Sequence, residues 1–473
     1  MKIIKKEYVK VLEWAFKIAY LFLGLSTFNT FLYDSQVQPT LVRICLVLGA
    51  LTLVGRLFFF RNYWKMPHWI LLALFCLSFL LSMVVNYRYG AFTADFKWLI
   101  WTGLLFFLLY VCDTSRDAEA YKKEFTVLAH ILIIYSVIAA AVSIYLMFRL
   151  YHAMWYTAGG ELMIAGFQWG RLWGVYTDPN YGSTFSVAAI LLCVYFFKKK
   201  KKWGKIPYGI AILVDYLYIT FSDSRTAEVA MAASASFWII TSLLWKKKNG
   251  KRALAGIAAA VVFAGAFVGA TSLIKSEYNV KIQNQIQAQS AAQQQTQQQT
   301  QQQTQQQTTS SQKVGRQADL EEDVSNGRLA LWESSVEIWL ASPVWGTGYN
   351  SFLPFVKEHV PQSYVINNSQ GEYVSLHNEY INILVYQGVL GFGIFAVFGI
   401  LTLVKWCRNL YLVKQEDRDY ICVLTGCVLV VLVTMVFLME GLYTNSPGSF
   451  ILWTFLGYLM HYFARKEKAE TEK

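Results

Sequence analysis

The feature that most constrains this chain is a series of apolar runs, each close to the length of a membrane-spanning helix. A helix needs ~20 mainly apolar residues to cross a bilayer. Such runs recur along most of the 473 residues, with only short polar segments between them. Hydrophobic residues make up 55% of the chain and charged residues only 15%. The sequence therefore predicts an all-α polytopic membrane protein.

We predict about twelve transmembrane helices, joined mostly by short loops. One long extracytoplasmic loop, from about 275 to 376, is expected to carry short helices, and a shorter outer loop covers about 149 to 180. The predicted spans lie near residues 10–32, 40–60, 67–86, 94–112, 126–148, 181–197, 206–222, 226–245, 253–274, 379–404, 419–439 and 449–463.

The formal net charge of +12 is explained by the distribution of Lys and Arg between the two sides of the membrane. With the N-terminus in the cytoplasm and the side alternating after each span, most Lys and Arg residues fall in inner segments, as the positive-inside rule requires. Both termini are then cytoplasmic. A nucleic-acid binder would need one accessible basic patch, which this distribution does not give, so no nucleic-acid partner is expected.

Other classes of site find little support. The seven cysteines lie in predicted spans or at their cytoplasmic ends, which does not indicate a disulfide framework. The outer segments contain no pattern typical of a metal site, and the acidic run 319–323 is most simply a solvated face. Nucleotide-binding fingerprints are absent from the sequence. We therefore expect no metal and no cofactor.

The long outer loop contains a Gln/Thr tract from Gln283 to Gln312. It has almost no apolar residues to bury, so it is predicted to be disordered or weakly helical. It is either a dispensable insertion or a segment for association. After it, helical spacing of Leu329, Trp332 and Val336 predicts an amphipathic helix at the outer membrane surface, capped by Asn326.

Two arginines stand at predicted helix starts on the outer side. Arg225, in FSDSRTAEVA, is either an interfacial residue paired with Asp223 or Glu228, or part of an anion site. In the second interpretation its guanidinium lies beside the free N–H groups of a helix, capped by Ser224 or Asp223, and suits phosphate. Arg328 follows Asn326 in the same way, or is simply solvated. Together the two arginines suit a diphosphate.

His377, in SLHNEY, immediately precedes a predicted span. In the first turn of a helix a histidine feels the positive dipole end, which disfavours imidazolium and keeps a neutral base available. The alternative is an interfacial histidine that only caps or packs. Arg171 is a further outer cation, and the DPN segment ending at Asn180 is an ordinary helix start, with Asp178 as N-cap and Pro179 at the first position.

These segments resemble a known family. The ordered set comprises GR-x-G shortly before DPN, SRT opening a helix, GR-x-x-x-W with a P-x-x-G-x-G turn, and HN before a span. It resembles the bacterial O-antigen ligase and polymerase superfamily, over about residues 171 to 378. On this basis we divide the chain into N-terminal transmembrane helices (1–148), an O-antigen ligase-like core with its outer loops (149–378), and C-terminal transmembrane helices (379–473).

The resemblance implies a metal-independent, inverting glycosyltransferase of the bacterial cytoplasmic membrane, active on its outer face. The donor would be a polyprenyl-diphosphate-linked glycan. His377 would activate the acceptor hydroxyl, and Arg225 and Arg328 would neutralise the departing diphosphate. Arg171 and Asn180 would help to position the donor. Membrane lipids, a flippase and a chain-length regulator are further expected partners.

The sequence is compatible with three functions. A polymerase would join lipid-linked repeat units into a surface polysaccharide such as a capsule, and we favour it. A ligase would move a finished glycan onto a lipid or cell-wall acceptor. A transporter or flippase of lipid-linked sugars would place charged residues deep in the spans. Few are found there, mainly Glu13, Lys17, Asp215 and Glu228.

Overall fold

The computed structural model describes residues 2–246, 250–294, 313–315, 327–369 and 371–471. Most of these residues are helical. The α-helices in these ranges are α1 (Lys2–Thr27), α2 (Thr30–Tyr33), α3 (Val37–Leu57), α4 (Phe60–Tyr63), α5 (Trp69–Val85), α6 (Phe92–Leu104), α7 (Ala118–Phe148), α8 (Pro179–Lys199), α9 (Ile206–Ser222), α10 (Arg225–Lys246), α11 (Gly250–Gln294), α12 (Arg328–Ala341), α13 (Phe352–His359), α14 (Glu379–Leu410), α15 (Arg418–Thr434) and α16 (Pro447–Thr471). Helix α6 continues as a π-helical segment, Leu105–Tyr110.

Seven helices of the described ranges are long and apolar enough to cross a membrane, which agrees with a helical membrane protein. They are Val37–Leu57, Phe92–Tyr110, Ala118–Phe148, Pro179–Lys199, Arg225–Trp245, Gly250–Asn284 and Glu379–Leu410. The five other predicted spans coincide with α1, α5, α9, α15 and α16, which are shorter or less apolar. Twelve spans therefore stay a prediction.

The segment predicted to be the first outer loop is not an irregular connection. It forms a three-stranded antiparallel sheet, β1 (His152–Tyr156), β2 (Leu162–Gln168) and β3 (Arg171–Gly174), in the order β1-β2-β3. The two tight connections contain Gly160 and Gly170, both with positive φ, as hairpin turns require. The described residues are otherwise mostly helical, which agrees with the all-α prediction, and this small sheet is a feature that the sequence did not predict.

The segment predicted to begin the second outer loop is helical. Helix α11 continues through Lys275 to Gln294, because this stretch contains no proline or glycine and is rich in good helix formers. The first part of the Gln/Thr tract, 283–294, is thus helical and not disordered. Residues 295–312, the acidic run 319–323 and Asn326 lie outside the described residues.

The chain forms two compact units. The first unit contains Met1–Leu25, Pro39–Thr126 and Asp323–Lys473, and the second contains Ser26–Gln38 and Val127–Glu322. In the first unit Trp453 is fully buried, and the nearest of its aromatic partners is Phe106, with ring centroids 4.5 Å apart. In the second unit Tyr176 and Tyr218 are buried side by side. The three-part division predicted from the sequence is not tested by these units.

Candidate functional site

In the second unit, Asn180 lies in the first turn of α8. Its side chain forms hydrogen bonds with residues of strand β3 and of the segment just before α10. Its Oδ1 accepts a hydrogen bond from Nη2 of Arg171 at 2.7 Å and another from Oγ of Ser224 at 3.0 Å. Nε of Arg171 also donates to the carbonyl oxygen of Ser222 at 2.8 Å, and the arginine is only 7% exposed. Arg171 and Asn180 are therefore in direct contact.

The start of α8 follows the sequence prediction. Asp178 is the N-cap, and its Oδ1 accepts from the backbone N–H of Asn180 at 2.6 Å. Pro179 occupies the first helical position, where its missing N–H costs nothing. This cap fixes the backbone of Asn180 next to Arg171.

Arg225 is the first residue of α10, and its side chain is exposed. Ser224 caps the helix, since its Oγ accepts from the N–H of Ala227 at 3.3 Å. Asp223 instead ends α9 in the left-handed conformation, with φ 50°. The guanidinium group therefore stands at the positive end of a helix that is long enough to cross a membrane.

The two carboxylates suggested as partners of Arg225 both lie near Lys275. Nζ of Lys275 lies 2.6 Å from Oδ1 of Asp223 and 3.5 Å from Oε1 of Glu228. Lys275 comes from the part of α11 that extends beyond the predicted span. Its charge balances the acidic groups around the start of α10.

In the first unit, Arg328 is the first residue of α12. The N-cap is Gly327, with φ 78°, and not the predicted Asn326. Arg328 is half-buried, and its Cζ lies 5.8 Å from the ring centroid of Phe437, a cation–π contact. Arg225 and Arg328 thus occupy equivalent positions on two different helices.

The apolar stripe predicted for this helix is its exposed face. Leu329 is 57% exposed and Val336 is 52% exposed. The opposite face packs inside the unit through Leu331, Ser334, Ser335 and Ile338. An exposed apolar face on a helix of a membrane protein is consistent with the predicted location at the membrane surface.

His377 lies just before α14 and not in its first turn. Asn378 is the N-cap, and its Oδ1 accepts from the N–H of Ile381 at 3.1 Å. His377 therefore precedes the cap, and it adopts a left-handed backbone with φ 50°. Positive φ is uncommon for residues other than glycine and is often found at functional sites.

His377 contacts one member of a small aromatic cluster, Tyr373 and Tyr364. Its ring contacts Tyr373 edge to face with centroids 5.7 Å apart, and Tyr364 stacks on Tyr373 at 6.3 Å. Both tyrosine hydroxyls approach Gly327, since a Cβ atom there would lie 3.2 Å from one and 3.8 Å from the other. Burial raises the pKa of Tyr373 above its ordinary value. The cluster links His377 to the residue before Arg328.

Two further contacts hold α12 against the start of α14. Nε1 of Trp332 donates to the carbonyl oxygen of Leu376 at 3.1 Å, and the N–H of Leu376 donates to Oδ1 of Asn382 at 3.0 Å. These bonds fix the backbone immediately before His377. Arg328 and His377 are therefore carried by elements of the same unit that are bonded to each other.

Glu379 anchors the start of α14, a role that the sequence did not predict. Its buried carboxylate accepts from the backbone N–H groups of Glu440, Gly441 and Leu442, at 2.9 and 2.6 Å for the first two. Its own N–H donates to the carbonyl oxygen of Met435 at 2.8 Å. The first helical residue after the His-Asn pair is thus bound to a distant segment of the chain.

The predicted site residues fall into two sets. Arg171, Asn180 and Arg225 belong to the second unit, and Arg328 and His377 belong to the first. The meeting of the two sets in one pocket stays a prediction. Within the described ranges, no three His, Cys, Asp or Glu side chains are grouped closely enough to hold a metal ion.

The fold and these sites define the chain as a helical membrane protein with charged and aromatic residues at the starts of its helices. Residues 209–396 match the family model described as O-Antigen ligase. Over this segment the chain is similar to the O-antigen ligase family. The segment covers less than half of the chain and contains Arg225, Arg328 and His377. Among curated proteins, no sequence matches the chain. Members of that family are enzymes of a glycosyltransferase-like type.

Proposed function

We propose that this protein is a polymerase that joins polyprenyl-diphosphate-linked repeat units into a surface polysaccharide. The reaction takes place at the outer face of the bacterial cytoplasmic membrane and uses no metal ion. The observation that carries the proposal is the arrangement in the first unit. A cationic helix start at Arg328 and a histidine with positive φ are joined there by one aromatic cluster and the bond from Trp332 to Leu376.

In the proposed reaction, His377 accepts the proton of an acceptor sugar hydroxyl. The hydroxyl oxygen attacks the anomeric carbon of the donor from the face opposite to the diphosphate. The new glycosidic bond forms as the bond from carbon to diphosphate oxygen breaks, which inverts the configuration. Polyprenyl diphosphate leaves with the bonding electron pair, and Arg225 and Arg328 stabilise its negative charge.

Arg171 and Asn180 act on the donor side in this proposal. Oδ1 of Asn180 accepts hydrogen bonds from both Arg171 and Ser224. Ser224 is the residue immediately before Arg225. Arg171 and Asn180 therefore set the position of the Arg225 helix start. A flippase that delivers the lipid-linked unit and a regulator of chain length complete the expected set of partners.

A reconstituted assay tests this function. Purified full-length protein is placed in liposomes with a lipid-diphosphate repeat unit isolated from producing cells. A polymerase yields a ladder of longer lipid-linked glycans from this substrate alone. A ligase yields product only when a different acceptor is added, and a transporter leaves the repeat unit unjoined. Either of these last two outcomes would contradict the proposal.

The same assay tests His377 as the base. We expect His377→Ala to lower the rate of joining by at least ~100-fold, because general base catalysis contributes that much or more. Its expression and thermal unfolding should match the wild type. His359→Ala is the control, since His359 is an exposed histidine in the same outer loop. Full activity of the His377 variant would remove this residue from the mechanism.

A further inference from the structure

A cavity of about 230 Å³ lies at one end of α3 in the first unit. None of the predicted site residues lines it, and its surface is almost entirely apolar. The lining residues are Leu53, Arg56, Leu57, Phe60, Tyr63, Trp64, Trp69, Phe107 and Val111. The apolar lining suits a hydrocarbon chain rather than a polar ligand.

The charged group of Arg56 is engaged inside the protein. Its Nε donates to Oε1 of Glu13 at 2.8 Å, and its other nitrogens donate to backbone carbonyl oxygens, including that of Val111 at 2.9 Å. Arg56 is only 7% exposed. It therefore presents its aliphatic part to the cavity, and a ligand there does not need an anion that reaches the guanidinium.

The cavity lies at the end of a candidate membrane span. Helix α3 ends at Leu57, which is 70% exposed, as membrane-facing residues are. Trp64 and Trp69 stand perpendicular to each other with centroids 3.6 Å apart, and Nε1 of Trp69 donates to the carbonyl oxygen of Trp64 at 2.9 Å. Tryptophans are enriched where the hydrocarbon core meets the lipid headgroups.

Two exposed cations stand beside the cavity. Arg61 and Lys65 lie on the same short segment as the lining residues Phe60 and Trp64. In the part of the chain that the structure describes, no carboxylate forms an ion pair with either of them. Their charge complements an anionic headgroup at the interface.

We propose that this cavity binds one acyl chain of an anionic glycerophospholipid, whose phosphate is held by Arg61 and Lys65. The acyl chain of the lipid occupies the apolar cavity, and the lipid headgroup stays at the membrane surface. The bound chain also excludes water from the buried pair of Arg56 with Glu13, which joins α3 to α1. This site is independent of the glycosyl transfer proposed above.

Native mass spectrometry of the full-length protein in mild detergent tests the proposal. Phosphatidylglycerol and phosphatidylethanolamine are added in separate samples. We expect the double variant Arg61→Gln with Lys65→Gln to retain phosphatidylglycerol about tenfold less than the wild type. Retention of phosphatidylethanolamine should stay unchanged. The control, Lys201→Gln with Lys202→Gln, changes two exposed lysines of another loop and should retain both lipids normally.

A second variant keeps the test independent of the charges. Leu53→Trp places a larger side chain in the wall of the cavity and should reduce retention of both lipids. In the wild type, phosphatidylglycerol should raise the thermal unfolding temperature more than phosphatidylethanolamine does. Equal effects of the two lipids, or unchanged retention in the charge variant, would overturn the proposal.

Discussion

At the scale of single residues, Arg225 and Arg328 share one structural position. Each is the first residue of its helix, where free backbone N–H groups and the helix dipole already favour an anion. A guanidinium group adds planar, bidentate donors that match phosphate oxygens. The proposed role in holding a diphosphate therefore depends on the geometry of arginine and not only on its charge.

Replacing either arginine by lysine tests this dependence. We expect Arg225→Lys and Arg328→Lys each to lower kcat by roughly tenfold to a hundredfold, since the charge remains but the bidentate contact is lost. Inhibition by added polyprenyl diphosphate should weaken in parallel. Arg43→Lys, at an exposed position of α3, is the control and should behave as the wild type. Unchanged inhibition in both variants would exclude the two arginines as diphosphate ligands.

The sequence located several of these residues because their signals are local. Asp178 and Pro179 cap α8 as predicted, and Ser224, one of two candidates, caps α10. The anchoring of Glu379 could not be predicted, because its partners lie about sixty residues further along the chain. The cap at Gly327 was also missed, since Asn326 carries the stronger local signal for an N-cap.

At the scale of elements, the break in α14 explains the P-x-x-G-x-G turn. Gly388 has a non-helical backbone with φ 63°, and the N–H of Val389 donates to the carbonyl oxygen of Pro343 at 2.8 Å. The N–H groups of Thr347 and Gly348 donate to carbonyl oxygens of α14 at 2.9 and 3.0 Å. The turn after α12 thus forms hydrogen bonds with the backbone N–H and carbonyl groups of α14 next to the break.

A single methyl group should disrupt this junction. A Cβ atom at Gly388 would lie 2.2 Å from the carbonyl oxygen of Val344, a backbone atom that cannot move easily. We expect Gly388→Ala to lower the free energy of unfolding by about 2 to 4 kcal/mol, from the positive φ and the overpacking together. Thermal unfolding measures the change. Gly393→Ala in the same helix, where the added atom meets nothing within 4 Å, should have little effect.

The residues at the two ends of the Gln/Thr tract are in contact with each other. Nζ of Lys313 lies 3.3 Å from Oε1 of Gln283, and Asn279 exchanges two hydrogen bonds of 2.8 Å with the backbone of Val314. Residues between these points can be removed without stretching the chain. We expect deletion of residues 285–311, with a two-glycine linker, to leave joining activity within about twofold of the wild type.

The matched control for this deletion is Asn279→Ala, which keeps the tract but removes the contacts that close it. It should reduce thermal stability more than the deletion does. Loss of folding in the deletion variant would show that the tract is part of the core.

The sheet β1–β3 shows the limit of prediction at this scale. Gly160 and Gly170 are turn signals that the sequence contains, but the strands are short and apolar. Short apolar runs do not distinguish strands from the ends of buried helices. The extension of α11 was missed for a different reason, because a polar segment with good helix propensity continues a helix beyond the membrane.

At the scale of the whole molecule, apolar periodicity predicted a helical membrane protein, and the order of short motifs predicted a resemblance that agrees with the family model matched by residues 209–396. These signals depend on composition and on local spacing, which one sequence contains. Residues 171 to 225 and residues 328 to 377 belong to different compact units. The common pocket is a proposal that would depend on how the units are assembled, which neither periodicity nor motif order encodes.

An experimental structure of the protein in a lipid nanodisc with polyprenyl diphosphate tests the central claim most directly. The proposal predicts one diphosphate that contacts the guanidinium groups of both Arg225 and Arg328, on the outer side of the membrane, with the imidazole of His377 facing the space for the acceptor. A diphosphate bound by neither arginine, or the two arginines on opposite sides of the membrane, would contradict it.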